Sequence, residues 1–266
     1  MTTSSFPTLK QILTFRWNPN QDLLVVALSW LLVVAALSTA TFVIGQEVWG
    51  GMGYFLTYAL IGAALCGVGI PLLWIVVICK RPLSDLGLTT RQWKLSLLLQ
   101  VLLTLIINIP RLLQLDVPAM AQLLPLVAMA LAIGFFEAIF WRGWVQLRLE
   151  EAFGILPAIL IASLLYAVYH IGYGMPVSEI SFLFFIGLMF AVVFRITRSI
   201  LILWPFFQPM GQLITLISDQ LVLPPIAALG FIEAFGVMLL LIWLANKYLK
   251  GHNLKNLEQA AAGSRA

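Results

Sequence analysis

Long apolar runs alternate with short polar segments along the whole chain. A helix of roughly 20 apolar residues, rising 1.5 Å per residue, crosses a bilayer core about 30 Å thick. Runs of about this length recur, so the pattern predicts about eight membrane-spanning helices. We place them near residues 23–45, 54–79, 95–109, 120–142 or beyond, 155–171, 180–195, 199–217 and 221–246.

Two segments outside these runs carry weaker signals. The internal loop from Lys80 to Lys94 contains Pro82 and Gly87, and a short interfacial helix is expected near its end, over 89–94. The tail from Lys247 ends in an Ala-, Gly- and Ser-containing stretch, which is typical of a frayed terminus.

Composition supports the membrane interpretation. The chain is 62% hydrophobic and 10% charged, whereas soluble domains carry about 25% charged residues. So much apolar surface cannot be hidden in a soluble core of this size, and lipid must solvate much of it. We predict an all-α, polytopic transmembrane helix bundle, integral to a bacterial-type cytoplasmic membrane.

The basic residues are distributed very unevenly when the loops are assigned alternately to the two sides. One side receives only Arg111. The other receives the remaining 14 of the 15: Lys10, Arg16, Lys80, Arg81, Arg91, Lys94, Arg142, Arg148, Arg195, Arg198, Lys247, Lys250, Lys255 and Arg265. The positive-inside rule makes the rich side cytoplasmic. Both termini are therefore expected in the cytoplasm. The net charge of +4 reports orientation, and we expect no nucleic-acid partner.

Several polar side chains lie inside the apolar runs. An ionised group at mid-bilayer costs about 2.5–3.5 kcal/mol on insertion scales, so such groups are candidates for function. They are Glu137 with Arg142, His170, Gln208 with Gln212, and Glu233. Counted along their helices, Glu137, His170 and Gln212 each lie about 20 Å from the cytoplasmic end, a depth that would allow one shared site.

Each of these residues also has a structural explanation. Glu137 and Arg142 could form an ion pair that ties helices together. His170 and the two glutamines could join helices by hydrogen bonds. Glu233 could be a neutral acid that faces a neighbouring helix.

Spacing adds detail to the candidate site. Gln208 and Gln212 are four residues apart and share one helix face, and Tyr166 stands in the same relation to His170. Pro205 and Pro209 each remove a backbone N–H. They predict a kinked segment with free carbonyl groups around Gln208.

In order and spacing these residues resemble the CPBP family of intramembrane proteases, which includes CAAX prenyl proteases and bacteriocin-processing proteins. The family's Glu-Glu-x-x-x-Arg motif is similar to Glu137 through Arg142, and its Phe-x-x-x-His motif to Tyr166 through His170. Its His-x-x-x-Asn motif is similar to Gln208 through Gln212. The resemblance covers roughly 80–240. It implies an N-terminal segment with two helices (1–79), a protease core (80–246) and a cytoplasmic tail (247–266).

The resemblance implies an endopeptidase that acts on a membrane-anchored or hydrophobic peptide or protein. Glu137 would be the general base and His170 would orient the attacking water. Gln208 and Gln212 would stabilise the oxyanion. Arg142, Tyr166 and Glu233 are supporting candidates.

The chain departs from the family pattern at four positions: Ala138 replaces the second glutamate, Tyr166 the phenylalanine, Gln208 the histidine and Gln212 the asparagine. Catalytic zinc takes about three protein ligands, and amides are poor ligands. We therefore expect no metal or other cofactor. The departures also leave open a catalytically inactive pseudoprotease that binds partners through the same cavity. A small transporter is disfavoured, because the two halves share no repeat of broken helices.

Overall fold

The computed structural model describes residues 8–45 and 51–263, and the regular elements of these residues are helices. They are α1 (Leu9–Leu13), α2 (Gln21–Ile44), α3 (Met52–Ile78), α4 (Trp93–Leu112), α5 (Met120–Phe153), α6 (Ile155–Tyr173), α7 (Val177–Thr197), α8 (Phe207–Ser218) and α9 (Ala227–Gly263). Of the described helices, seven are long and apolar enough to cross a membrane: α2 to α7, and α9 over Ala227–His252. The predicted polytopic helical membrane bundle is confirmed.

The seventh predicted span, 199–217, is broken rather than continuous. It consists of a short 3-10 turn, Ile200–Ile202, a bent segment through Pro205, and the 12-residue helix α8. Two side chains of α4 form hydrogen bonds with backbone groups of this broken segment. Asn108 Nδ2 donates to the Phe207 carbonyl at 2.8 Å, and the Phe206 N–H donates to Gln100 Oε1 at 3.0 Å. A proline-broken backbone is tolerated at membrane depth when protein groups satisfy it in this way.

Three local expectations need correction. No separate interfacial helix forms over 89–94. The internal loop instead carries a 3-10 turn at Leu83–Leu86, and α4 begins at Trp93. The last helix begins at Ala227 rather than near 221, because Pro224 and Pro225 cannot donate the backbone hydrogen bonds of a helix. It then continues to Gly263 instead of fraying from Lys247.

Helix α5 forms the centre of the bundle and is the most buried of the seven long helices. It packs against α3, α6, α8 and α9. Its bulky side chains Phe136, Phe140, Trp141 and Trp144 are fully buried. Every face of α5 is therefore covered by protein around Glu137, which keeps this carboxylate away from lipid.

Two glycines of α5 allow close approach of neighbouring segments. A Cβ on Gly143 would lie 2.0 Å from the backbone oxygen of Leu86, so the Leu83–Leu86 turn rests directly on the α5 backbone. A Cβ on Gly134 would lie 3.0 Å from the ring of Pro209. This second contact brings the start of α8 against α5, one turn before Glu137.

Ion pairs fasten the helix ends on the basic side. Arg81 binds Asp22 at 3.0 Å, Asp85 at 2.6 Å and Glu151 at 2.8 Å. Arg148 binds Glu151 at 3.0 Å and lies 3.4 Å from Asp22. Partial burial acts to lower the pKa of Arg81, but its hydrogen bonds to Asp85 and Glu151 outweigh burial, and the pKa lies above its ordinary value. The network links α2, the loop after α3, and α5.

We expect Gly143→Ala to destabilise the protein, because the added methyl group must displace the Leu86 backbone. Overpacking of this kind typically costs about 1–3 kcal/mol. The measurement is the apparent melting temperature in detergent. Gly236→Ala is the matched control, since nothing lies within 4 Å of the Cβ position at Gly236. Equal melting temperatures for the two variants would contradict the close contact.

Candidate active site

A cavity of about 1110 Å³ lies between α5 and the surrounding helices. Six of the seven residues singled out in the sequence line it: Glu137, Tyr166, His170, Gln208, Gln212 and Glu233. Glu137, His170 and Gln212, which the sequence placed at matched depths, thus line one cavity. Their catalytic roles stay a prediction.

The Glu137 carboxylate is buried and held by two hydrogen bonds. The Tyr169 hydroxyl donates to Oε1 at 2.6 Å, and Gln208 Nε2 donates to Oε2 at 2.8 Å. The side chain is only 4% exposed. A carboxylate has about four acceptor sites on its two oxygens. Two of them are occupied here, so each oxygen keeps a lone pair that can accept another proton or hydrogen bond.

The start of α8 reaches Glu137 because Pro209 packs on Gly134. Gln212 lies one turn further along α8 on the same face, and its Oε1 is 3.5 Å from the position that a Gly134 Cβ would occupy. The Oε1 atoms of Gln208 and Gln212 are both buried and have no hydrogen-bond partner among the described residues. Both amides therefore have unused hydrogen-bonding capacity: Gln208 contacts the carboxylate directly, and Gln212 lies one helical turn from Gln208.

The geometry of His170 indicates its tautomer. Nδ1 lies 2.9 Å from the Tyr166 carbonyl oxygen. A carbonyl only accepts hydrogen bonds, so Nδ1 must carry the proton, and Nε2 of the neutral ring must carry a lone pair. The ring also meets Tyr166 edge to face at 5.0 Å and Tyr169 at 4.2 Å between centroids. These contacts hold the imidazole in place at the end of α6.

Arg142 differs from the other candidates, since it does not line the cavity. Among the described residues no ion pair within 4 Å joins it to Glu137, so the structural pair considered from the sequence is not formed. The guanidinium carbon instead lies 5.4 Å from the centre of the Tyr166 ring. Cation–π contact of this kind stabilises by about 0.5–2 kcal/mol. Arg142 therefore supports Tyr166, which in turn packs against His170.

Glu233 lies at the edge of the site. Its side chain is exposed on the first turns of α9 and lines the cavity. It forms no hydrogen bond or ion pair with another described residue. It therefore does not replace the carboxylate missing at Ala138 as a partner of Glu137.

Sequence reasoning missed two residues that hold the site, Tyr169 and Asn108. Tyr169 follows Tyr166 by three residues and therefore shares its helix face, a signal that was present in the sequence. Asn108 is a buried polar residue in an apolar helix, and the rule that selected Glu137 could have selected it. Its function became visible only with the Phe207 carbonyl beside it.

The donor set of the cavity does not fit zinc. Glu137 and His170 supply two ordinary ligand types, and the third motif supplies amides. Within 8–45 and 51–263 no group of three His, Cys, Asp or Glu side chains is placed to hold a metal ion. A catalytic zinc site takes three such ligands and an open position.

We expect Tyr169→Phe to destabilise the protein, because it removes a hydrogen bond from a buried carboxylate. Hydrogen bonds to charged groups contribute about 1.5–3 kcal/mol. The matched control is Tyr166→Phe, since no described residue hydrogen-bonds the Tyr166 hydroxyl. The apparent melting temperature in detergent should fall clearly further for Tyr169→Phe. Equal effects would mean that the Tyr169 hydroxyl does not hold Glu137.

Comparison with known proteins shows similarity to one protein family. The family model of Rce1-like type II CAAX prenyl endopeptidases matches residues 119–206, about a third of the chain. The match contains Glu137, Arg142, Tyr166 and His170, and it ends just before Gln208. Searches among curated proteins and among solved structures gave no match. Residues 119–206 are therefore similar to the Rce1-like type II CAAX prenyl endopeptidase family, which is consistent with the resemblance to the CPBP family.

Proposed function

We propose that this integral membrane protein is an intramembrane endopeptidase of the CPBP type, which hydrolyses a peptide bond in a membrane-associated substrate. One observation carries the proposal: a buried carboxylate, Glu137, lines the same cavity as a fixed imidazole, His170. A buried intramembrane acid with dedicated hydrogen-bond donors is costly to maintain. A role in acid–base catalysis, in which the carboxylate activates water, would account for this cost.

In the proposed mechanism Glu137 is the general base. It takes one proton from a water molecule, and the water oxygen bonds to the substrate carbonyl carbon. His170 Nε2 accepts a hydrogen bond from the same water and orients it. Glu137 then returns the proton to the amide nitrogen, the C–N bond breaks, and an acid and an amine leave. General acid–base catalysis of this kind contributes about 10²–10⁴-fold.

The glutamine amides would stabilise the tetrahedral intermediate. Gln208 already donates one Nε2 hydrogen to Glu137, so it has one hydrogen left for an oxyanion. Gln212 forms no such bond and keeps both. We therefore assign Gln212 as the main oxyanion donor and Gln208 chiefly as the residue that positions Glu137.

A catalytically inactive pseudoprotease is the second candidate. Both Glu137 oxygens are already hydrogen-bonded within the protein, and Ala138 and Gln208 stand where the family has a glutamate and a histidine. In this alternative the cavity would bind a hydrophobic partner segment without cutting it.

We expect Glu137→Gln to abolish cleavage, because an amide cannot take a proton from water. New peptide N-termini in membrane extracts should accumulate with the wild type and be absent with Glu137→Gln. Asp116→Asn, which neutralises an exposed acid outside the cavity, is the control. If neither wild type nor Glu137→Gln produces new N-termini, and a partner still co-purifies with both, the pseudoprotease is supported.

We expect Gln212→Leu to lower turnover by about 10²–10³, the usual effect of removing one oxyanion donor. The fold should stay intact, since no described residue hydrogen-bonds the Gln212 side chain. Turnover is compared with that of Gln114→Leu, the same change at an exposed residue outside the cavity. Equal rates for both variants would exclude Gln212 from the oxyanion site.

We also expect turnover to be insensitive to metal chelators, because the proposed mechanism uses only side chains. Cleavage in membrane extracts is measured with EDTA, with phenanthroline, and with a non-chelating phenanthroline isomer as the control. Activity that is lost with phenanthroline and restored by added zinc would overturn the metal-free mechanism.

A further inference from the structure

The residues that line the cavity come mainly from helix turns near one end of the bundle. The helices that run toward this end contribute their last turns, represented by Thr41, Asn108 and His170. The helices that run away from it contribute their first turns, represented by Tyr54 and Phe182. The loop between α8 and α9 lies at the same end. Access to Glu137 through the cavity is therefore from this end.

The opposite end of the bundle carries the basic residues. Arg81, Arg148, Arg195 and Arg198 lie there, and each pairs with an acidic side chain. By the positive-inside rule this basic end is cytoplasmic. The cavity consequently opens on the non-cytoplasmic side of the membrane.

The cavity wall near its opening is acidic. Glu179, Asp219 and Glu233 are exposed and line the cavity, and Arg111 is the only lysine or arginine among its described lining residues. None of the four forms an ion pair with another described residue, in contrast to the paired charges at the cytoplasmic end. These carboxylates are thus available to a ligand.

The rest of the wall is largely apolar and aromatic, as Phe55, Phe182, Phe207 and Phe231 illustrate. Such a wall matches an apolar segment, whereas the three carboxylates attract positive charge toward the opening. Charge of one sign around a cleft raises the local concentration of oppositely charged ligands.

We propose that the cavity is entered from the non-cytoplasmic side by an apolar peptide segment that carries lysine or arginine at its outer end. As a statement about the substrate, this rests on the proposed function. Glu179, Asp219 and Glu233 select the positive charge, and the apolar wall receives the segment that leads to Glu137.

The direction of entry can be measured without any activity. In a background with Cys66→Ala and Cys79→Ala, Thr215→Cys places a thiol at an exposed cavity-lining position. Thr90→Cys places one at an exposed position at the basic end. A membrane-impermeant maleimide should label Thr215→Cys in intact cells, and Thr90→Cys only after permeabilisation. The reverse pattern would overturn the proposal.

The charge preference is tested by protection of the Thr215→Cys thiol. A peptide rich in leucine and lysine should slow its labelling several-fold, more strongly at low salt, and a leucine- and glutamate-rich peptide of equal length should not. Adding Glu179→Gln, Asp219→Asn and Glu233→Gln together should remove the protection. Equal protection by the two peptides, or protection that survives the triple change, would refute the charge preference.

Glu137→Gln separates this proposal from the proposed catalysis. Glu137 is the proposed general base and is not one of the three charge-selecting residues. In the Glu137→Gln variant, the lysine-rich peptide should therefore still protect the Thr215→Cys thiol from labelling. Protection with no cleavage by the wild type would leave the entry route standing while the peptidase fails. Cleavage by the wild type without selective protection would have the opposite meaning.

Discussion

The site depends on how a carboxylate is kept inside a membrane protein. Glu137 is buried away from lipid at the wall of the cavity and is only 4% exposed, and an isolated ionised group in such a place would be strongly disfavoured. Hydrogen bonds from Tyr169 on α6 and Gln208 on α8 compensate for this burial. Because the two donors come from different helices, the carboxylate also fixes how α6 and α8 sit against α5.

That arrangement requires α8 to be a short, broken segment. A continuous helix over 199–217 would hide its backbone groups and would not turn Gln208 toward α5 in the same way. Pro205 and Pro209 interrupt it, Asn108 donates a hydrogen bond to the Phe207 carbonyl at the start of α8, and Gly134 leaves room for the Pro209 ring. The irregular backbone is thus stabilised by polar groups of α4 and lies beside the cavity, as expected for non-helical segments at membrane depth.

Charge divides the molecule into two ends with different tasks. At the basic end, arginines such as Arg81 and Arg148 are paired with carboxylates and bind helix ends together. At the other end, acids such as Glu179 and Asp219 are unpaired among the described residues and line the cavity. The paired arginines stabilise the fold and set its orientation in the membrane. The unpaired acids remain available to bind a ligand that enters the cavity.

The sequence by itself determined the helical membrane architecture, most helix positions within a few residues, and the polar residues that share a cavity. Hydropathy and charge are local properties, so the chain displays them directly. Only the tertiary structure decided that Glu137 is held by Tyr169 and Gln208, while Arg142 packs on Tyr166 instead. These partners lie up to 71 residues apart, and their meeting depends on contacts between helices that no local pattern encodes.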